Sequence, residues 1–266
     1  MTKQNMNTMT FGRYVNFSLN PIAWGQGLPQ DIVKLLDSVI TEFYSNLDLS
    51  IISNTPVLVC SGLTTNPPKN NPEIIKTNGL TTIFLSANDR LWSKYSYQFS
   101  HELCHYVINT PFPPTNDKFG WWEETLCELA SIYTLSRMSI TWQTNPPYQN
   151  WASYANSLST YANDIINKSE NTLTKPLSVW LSENLPSLFL DRYKRTENRI
   201  VAVHLLSLFT ATPELWKTIQ FLNPIQVTTD MTFETYLSEW KNNIPTHLHS
   251  NFDQLVTLLI GNTNLA

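Results

Sequence analysis

Residues 91–109 read LWSKYSYQFSHELCHYVIN, and residues 120–138 read GWWEETLCELASIYTLSRM. The first predicts a helix from about Leu91 to Asn109, ended by the breaker TPFPP. The second predicts a helix from Gly120 or Trp121 to about Met138, with TNPPYQNW breaking the chain again at 144–151. The connection TPFPPTNDKF is short, so the two helices are expected to be antiparallel neighbours. Everything else is placed around this pair. Before it, FGRYVNFSL (11–19), PVLVC (56–60) and the β-branched LTTIFLS (80–86) read as strands, and TNPPKNNPE (65–73) as a loop. Ile32, Leu35, Leu36, Val39, Ile40 and Phe43 recur at helical spacing across 29–46. After the pair, helical patterns cover 150–168, 176–190, 192–210, 213–222 and 233–260. Strands in the first half and helices in the second make the class α+β: a small N-terminal sheet, the helix pair, then a mainly helical C-terminal half. A boundary near residue 140 would separate 1–140 from 141–266, although the two halves could equally pack as one continuous domain.

His101 and His105, four apart in HELCH, project from nearly the same face of a helix. Neutral imidazoles one turn apart can share a metal, zinc above all. Glu102 lies about 100° round the helix from His101. It is therefore beside such a metal and out of line to bind it, which is where a general base belongs. HExxH by itself is a short pattern that ordinary helices also carry.

The second helix adds carboxylates at matching heights. Glu124 and Glu128 share a face, and Glu123 makes a third acid with no Lys or Arg between Gly120 and Arg137. Like charges at this spacing repel slightly; a nearby cation reverses that. The helix macrodipole accounts for Glu123 and Glu124 near the N-terminus, and less well for Glu128. In an antiparallel pair His105 is level with Glu124, and His101 with Glu128. The expected site has His101, His105 and Glu124 on zinc, with Glu128 accepting the other ring N–H of a ligand histidine, His101 first. A rotation of the second helix would offer Glu123 or Glu128 as the ligand instead.

HELCH, nineteen residues from His105 to Glu124, and then E-T-L-C-E resemble the gluzincin metallopeptidases, of which thermolysin is the familiar member. The resemblance covers about residues 80–138. It implies a zinc peptidase with ligands His101, His105 and Glu124, base Glu102, and supporting acid Glu128, where the family pattern has Asp. It also implies a gluzincin-like catalytic domain over 1–140, with 141–266 completing the substrate cleft. In that family extended peptide pairs with a sheet-edge strand before the HExxH helix, a part that LTTIFLS would play. The alternative from another class is a zinc-stabilised binding or regulatory protein with little turnover.

Composition narrows the partners. Net charge is −4 and no basic run is visible, which argues against nucleic acid and anionic membrane surfaces. No segment has the length and apolarity of a membrane span, and the first residues lack a signal-peptide core, so a cytoplasmic protein is the expectation. Three cysteines (Cys60, Cys104, Cys127) suit a reducing compartment better than a disulfide scaffold. His204, among apolar neighbours, reads as a core histidine. The gluzincin resemblance implies a distant His or Tyr that donates to the oxyanion; besides His204, Tyr148, Tyr154, Tyr161 and Tyr193 are alternative donors, and the sequence does not choose among them.

Overall fold

The computed structural model describes residues 8–13, 16–53, 55–110, 112–113 and 117–261. Five strands among them form one mixed sheet: β1 (Met9–Phe11), β2 (Phe17–Leu19), β3 (Val57–Ser61), β4 (Glu73–Thr77) and β5 (Leu80–Leu85), in the order β1-β2-β3-β5-β4. Helix α1 (Pro29–Tyr44) starts on proline, whose fixed φ suits the first helical turn, and buries the apolar stripe read from its spacing. The α+β class is as expected. In place of one strand over 11–19, the chain makes β1 and β2, paired antiparallel with Met9 opposite Leu19. Gly12, at φ 89°, lets the chain leave β1. Alternation alone does not distinguish one strand from two short ones.

The larger correction concerns the sheet edge. Asn78 and Gly79 both hold positive φ, at 51° and 78°, as a two-residue hairpin turn requires. They join β4 antiparallel to β5, with Thr77 opposite Leu80. β4 begins where the proline-rich loop was expected to end. It takes the edge, and β5 lies bonded between β3 and β4. LTTIFLS is therefore an internal strand, and the edge belongs to EIIKT.

Helix α2 (Trp92–Asn109) packs beside α3 (Gly120–Thr141). The remaining helices are α4 (Ala155–Ile166), α5 (Leu177–Leu190), α6 (Arg195–Ala211), α7 (Phe233–Asn243) and α8 (His249–Ile260). The single helix expected over 233–260 is divided, because Pro245 has no N–H to continue α7. α3 is buried on most of its circumference and touches α1, α2, α4, α5 and α6. No helix among the described residues is long and apolar enough to cross a membrane.

One cluster of buried side chains runs from Phe11 to Leu259 and takes in both halves of the chain. Trp216 shows how they interlock. It is fully buried, with its ring 5.2 Å from Phe43 of α1, 5.2 Å from Tyr133 of α3 and 4.7 Å from Phe209 of α6. Trp216→Ala is expected to cost about 3–5 kcal/mol. Urea unfolding should show this loss in one shared transition. Two transitions, only one of them displaced, would mean that the halves unfold separately.

Candidate metal centre

α2 and α3 bring the predicted donors together. His101 Nε2 lies 3.3 Å from one oxygen of Glu124, and His105 Nε2 lies 3.6 Å from the other. Zinc bonds of about 2.0–2.1 Å at tetrahedral angles place neighbouring donors roughly 3.3–3.4 Å apart. The donor types are ones zinc takes, and each histidine is near that separation from a different oxygen of Glu124. Glu102, only 3% exposed, lies on the same cleft. Burial pushes its carboxyl above the ordinary range, with His101 and His105 pulling the other way.

The second carboxylate is differently placed from the expectation. Glu123 Oε1 sits 2.5 Å from His105 Nδ1 and accepts a 2.6 Å hydrogen bond from Asn109 Nδ2. Asn223 Nδ2 in turn donates to Asn109 Oδ1 at 2.7 Å, which ties this chain of contacts to the C-terminal half. Glu128 does not meet His101. One of its oxygens accepts from Arg199 Nε at 2.9 Å and the other from the Tyr97 hydroxyl. The long glutamate stem carries the carboxylate past the histidine to a cation on α6, and level position on two helices cannot reveal that cation.

Arg192 completes the acid cluster. Its Nη2 is 3.2 Å from Glu124 Oε1 and 3.8 Å from Glu123 Oε2, and its Nη1 binds Asp117. Gly120 makes room for it: a Cβ there would lie 2.6 Å from Asp117 Oδ1 and 3.0 Å from Arg192 Cζ. Burial would raise the Glu124 carboxyl, but hydrogen bonds from His101 and His105 outweigh it and hold the group well below the usual carboxylate range. Burial would likewise lower His105. Its hydrogen bonds to Glu123 and Glu124 prevail and raise it well above its ordinary value. Glu123→Ala removes the support for His105 and is expected to weaken zinc about 10–100-fold in chelator competition. Unchanged affinity would leave Glu123 no part in the site.

The donor groups overlap. His101, His105 and Cys127 also offer ligand atoms within 4.8 Å of one another. Glu124 is the better third ligand on two grounds. It lines the cleft, whereas Cys127 is fully buried. Burial and the neighbouring Cys104 also push the Cys127 thiol well above its ordinary range, which disfavours the thiolate a metal needs.

No protein-family model matches the chain, and neither a curated protein nor a solved structure is matched by it.

These groups lie on a cleft of about 520 Å³. β4 contributes Glu73 and Ile74 to one wall, and the start of α6 contributes Arg195, Asn198 and Arg199 to the other. Lys76 Nζ donates to Asn109 O at 2.8 Å and so fixes β4 to the end of α2. Gln98 does the same at the far end of β5, accepting from Ala87 N at 2.8 Å and donating to Ser86 Oγ at 2.7 Å. Of the four tyrosines named as possible oxyanion donors, Tyr193 is the one on the cleft. His204 Nδ1 pairs with Ile200 O of its own helix at 2.8 Å, away from the site. Arg192 and Arg199 were missed in the sequence. Their signal was present in DRYKRTENR (191–199), where basic residues recur with helical spacing just before an apolar helix.

Proposed function

We propose that the chain is a zinc-dependent peptidase that hydrolyses peptide bonds at the cleft between β4 and α6. The observation that carries this reading is the donor triangle of His101, His105 and Glu124 with buried Glu102 beside it, open to a peptide-sized cleft. Zinc, when bound there, supplies a Lewis acid that polarises a carbonyl and makes water acidic enough to lose a proton near neutrality. Glu102 accepts that proton and passes it to the departing nitrogen. Its raised proton affinity suits a group that must hold a proton and then give it up. Glu123 orients His105, and Arg192 steadies the carboxylate of Glu124.

Substrate lies along β4. In a hairpin closed by Thr77 and Leu80, alternate residues face away from the partner strand, which leaves the N–H and C=O of Ile74 and Lys76 turned outward. An extended peptide can pair with them. The gluzincin resemblance implies a sheet-edge strand ahead of the HExxH helix; it gave that part to LTTIFLS, and EIIKT holds the edge instead. The test is a mixed peptide library incubated with zinc-loaded protein and read by mass spectrometry. Discrete cleavage products that a chelator abolishes are expected, and an uncleaved library would overturn the reading.

The second reading is a zinc-stabilised binding or regulatory protein. What favours it is the place of Cys127 in a donor group with both histidines. A thiolate added to the ligands would make the kind of closed site that structural zinc uses.

A further inference from the structure

Asn109 is outside the donor triangle, yet four segments meet at it. It is the last residue of α2 and stands four residues after His105, so the two side chains share a face of the helix. Its Nδ2 donates at 2.6 Å to Glu123 Oε1 on α3, the same oxygen that lies 2.5 Å from His105 Nδ1. Its Oδ1 accepts at 2.7 Å from Nδ2 of Asn223, in the connection between α6 and α7. Its backbone O accepts from Lys76 Nζ of β4 at 2.8 Å.

The partners fix how both amides are turned. A carboxylate accepts hydrogen bonds and does not donate them. Asn109 therefore presents its NH2 to Glu123 and its oxygen to Asn223. Asn223 Nδ2 faces three oxygens, Asn109 Oδ1 at 2.7 Å, Phe112 O at 2.8 Å and Ile108 O at 3.1 Å, and is the donor to them. A run of donors thus points from the C-terminal half into the metal site, from Asn223 to Asn109 and from Asn109 to Glu123.

Glu123 also has a competing partner. Arg192 Nη2 lies 3.8 Å from its other oxygen, Oε2. Without a second donor on Oε1, that cation is free to draw the carboxylate off the imidazole. With Oε1 held, His105 donates from Nδ1, and the lone pair of Nε2 is left free on the side of Glu124 Oε1, 3.6 Å away.

We infer that Asn109 is a positioning residue for the metal, setting Glu123 against His105, and that Asn223 is its buttress. A site built on α2 and α3 then draws part of its zinc affinity from the chain between α6 and α7. The inference rests on the reading of His101, His105 and Glu124 as metal ligands.

The test is chelator competition for zinc on the full chain, arranged as a double-mutant cycle. Asn109→Ala should weaken zinc about tenfold, the low end for groups that support a metal-bound histidine. Asn223→Ala should weaken it by a smaller factor. In a Glu123→Ala background, adding Asn109→Ala should change the affinity by less than about twofold, because Asn109 reaches the metal only through Glu123. General damage to the fold would instead appear in both backgrounds, and in the thermal unfolding of the metal-free protein. Affinity within about twofold of wild type in Asn109→Ala, or an equal loss with and without Glu123, overturns the positioning role and leaves the metal site standing. Wild-type affinity in Asn223→Ala removes the C-terminal half from the site. A wild-type chain that takes up no zinc overturns the metal reading itself, and this inference with it.

Discussion

Glu102→Gln is expected to keep the fold and the bound zinc and to lose hydrolysis by about 10²–10⁴-fold, the usual contribution of a positioned general base. Gln fills nearly the same volume, so the buried pocket around position 102 is not emptied. It also removes a carboxyl that burial makes costly to ionise, so the variant should be no less stable in the absence of metal. Elemental analysis, thermal unfolding and library cleavage on the same preparation separate these effects. Activity within threefold of wild type would remove Glu102 from the mechanism, and loss of zinc would mean that it is a ligand.

The second large effect is expected at the third ligand. Glu124→Ala leaves His101 and His105 with one fewer donor and removes the 3.2 Å contact between Arg192 Nη2 and Glu124 Oε1. Stoichiometric zinc should fall to a small fraction of a metal ion per chain. Cys127→Ala, by contrast, is expected to keep the metal, because its thiol lies in the core and is held in its neutral form. The pair of variants decides between the two donor groups. Zinc retained in Glu124→Ala and lost in Cys127→Ala would move the third ligand to sulfur and favour the binding protein over the peptidase.

The parts that were legible in the sequence share one property: they depend on local spacing. The i,i+4 histidines, the carboxylates one helix later and the apolar stripe of α1 all follow from a 3.6-residue turn. Three features were not legible, each because a contact between distant segments decides it. Glu128 was assigned to His101 by height alone, and Arg199 from 71 residues away claims it. Glu123, read in the sequence only as an alternative ligand, meets His105 Nδ1 instead, through the rotation of α3 against α2. The edge strand was hidden because EIIKT follows a proline-rich loop and is only half-buried. The Asn78-Gly79 pair between two β-rich runs was the available signal for that hairpin.

The outward face of β4 has a further consequence, for self-association. An edge left open for a peptide is equally open to a strand from another molecule, and unpaired edges are where sheet proteins stick to their own copies. Two features of this edge discourage that. It is five residues long, and Glu73 and Lys76 are exposed charges that a second strand would have to bury or repel. A single guest peptide meets these two charges once, whereas every strand of a growing sheet would meet them again. The edge is thus built to tolerate a guest chain while remaining a poor template for a growing sheet.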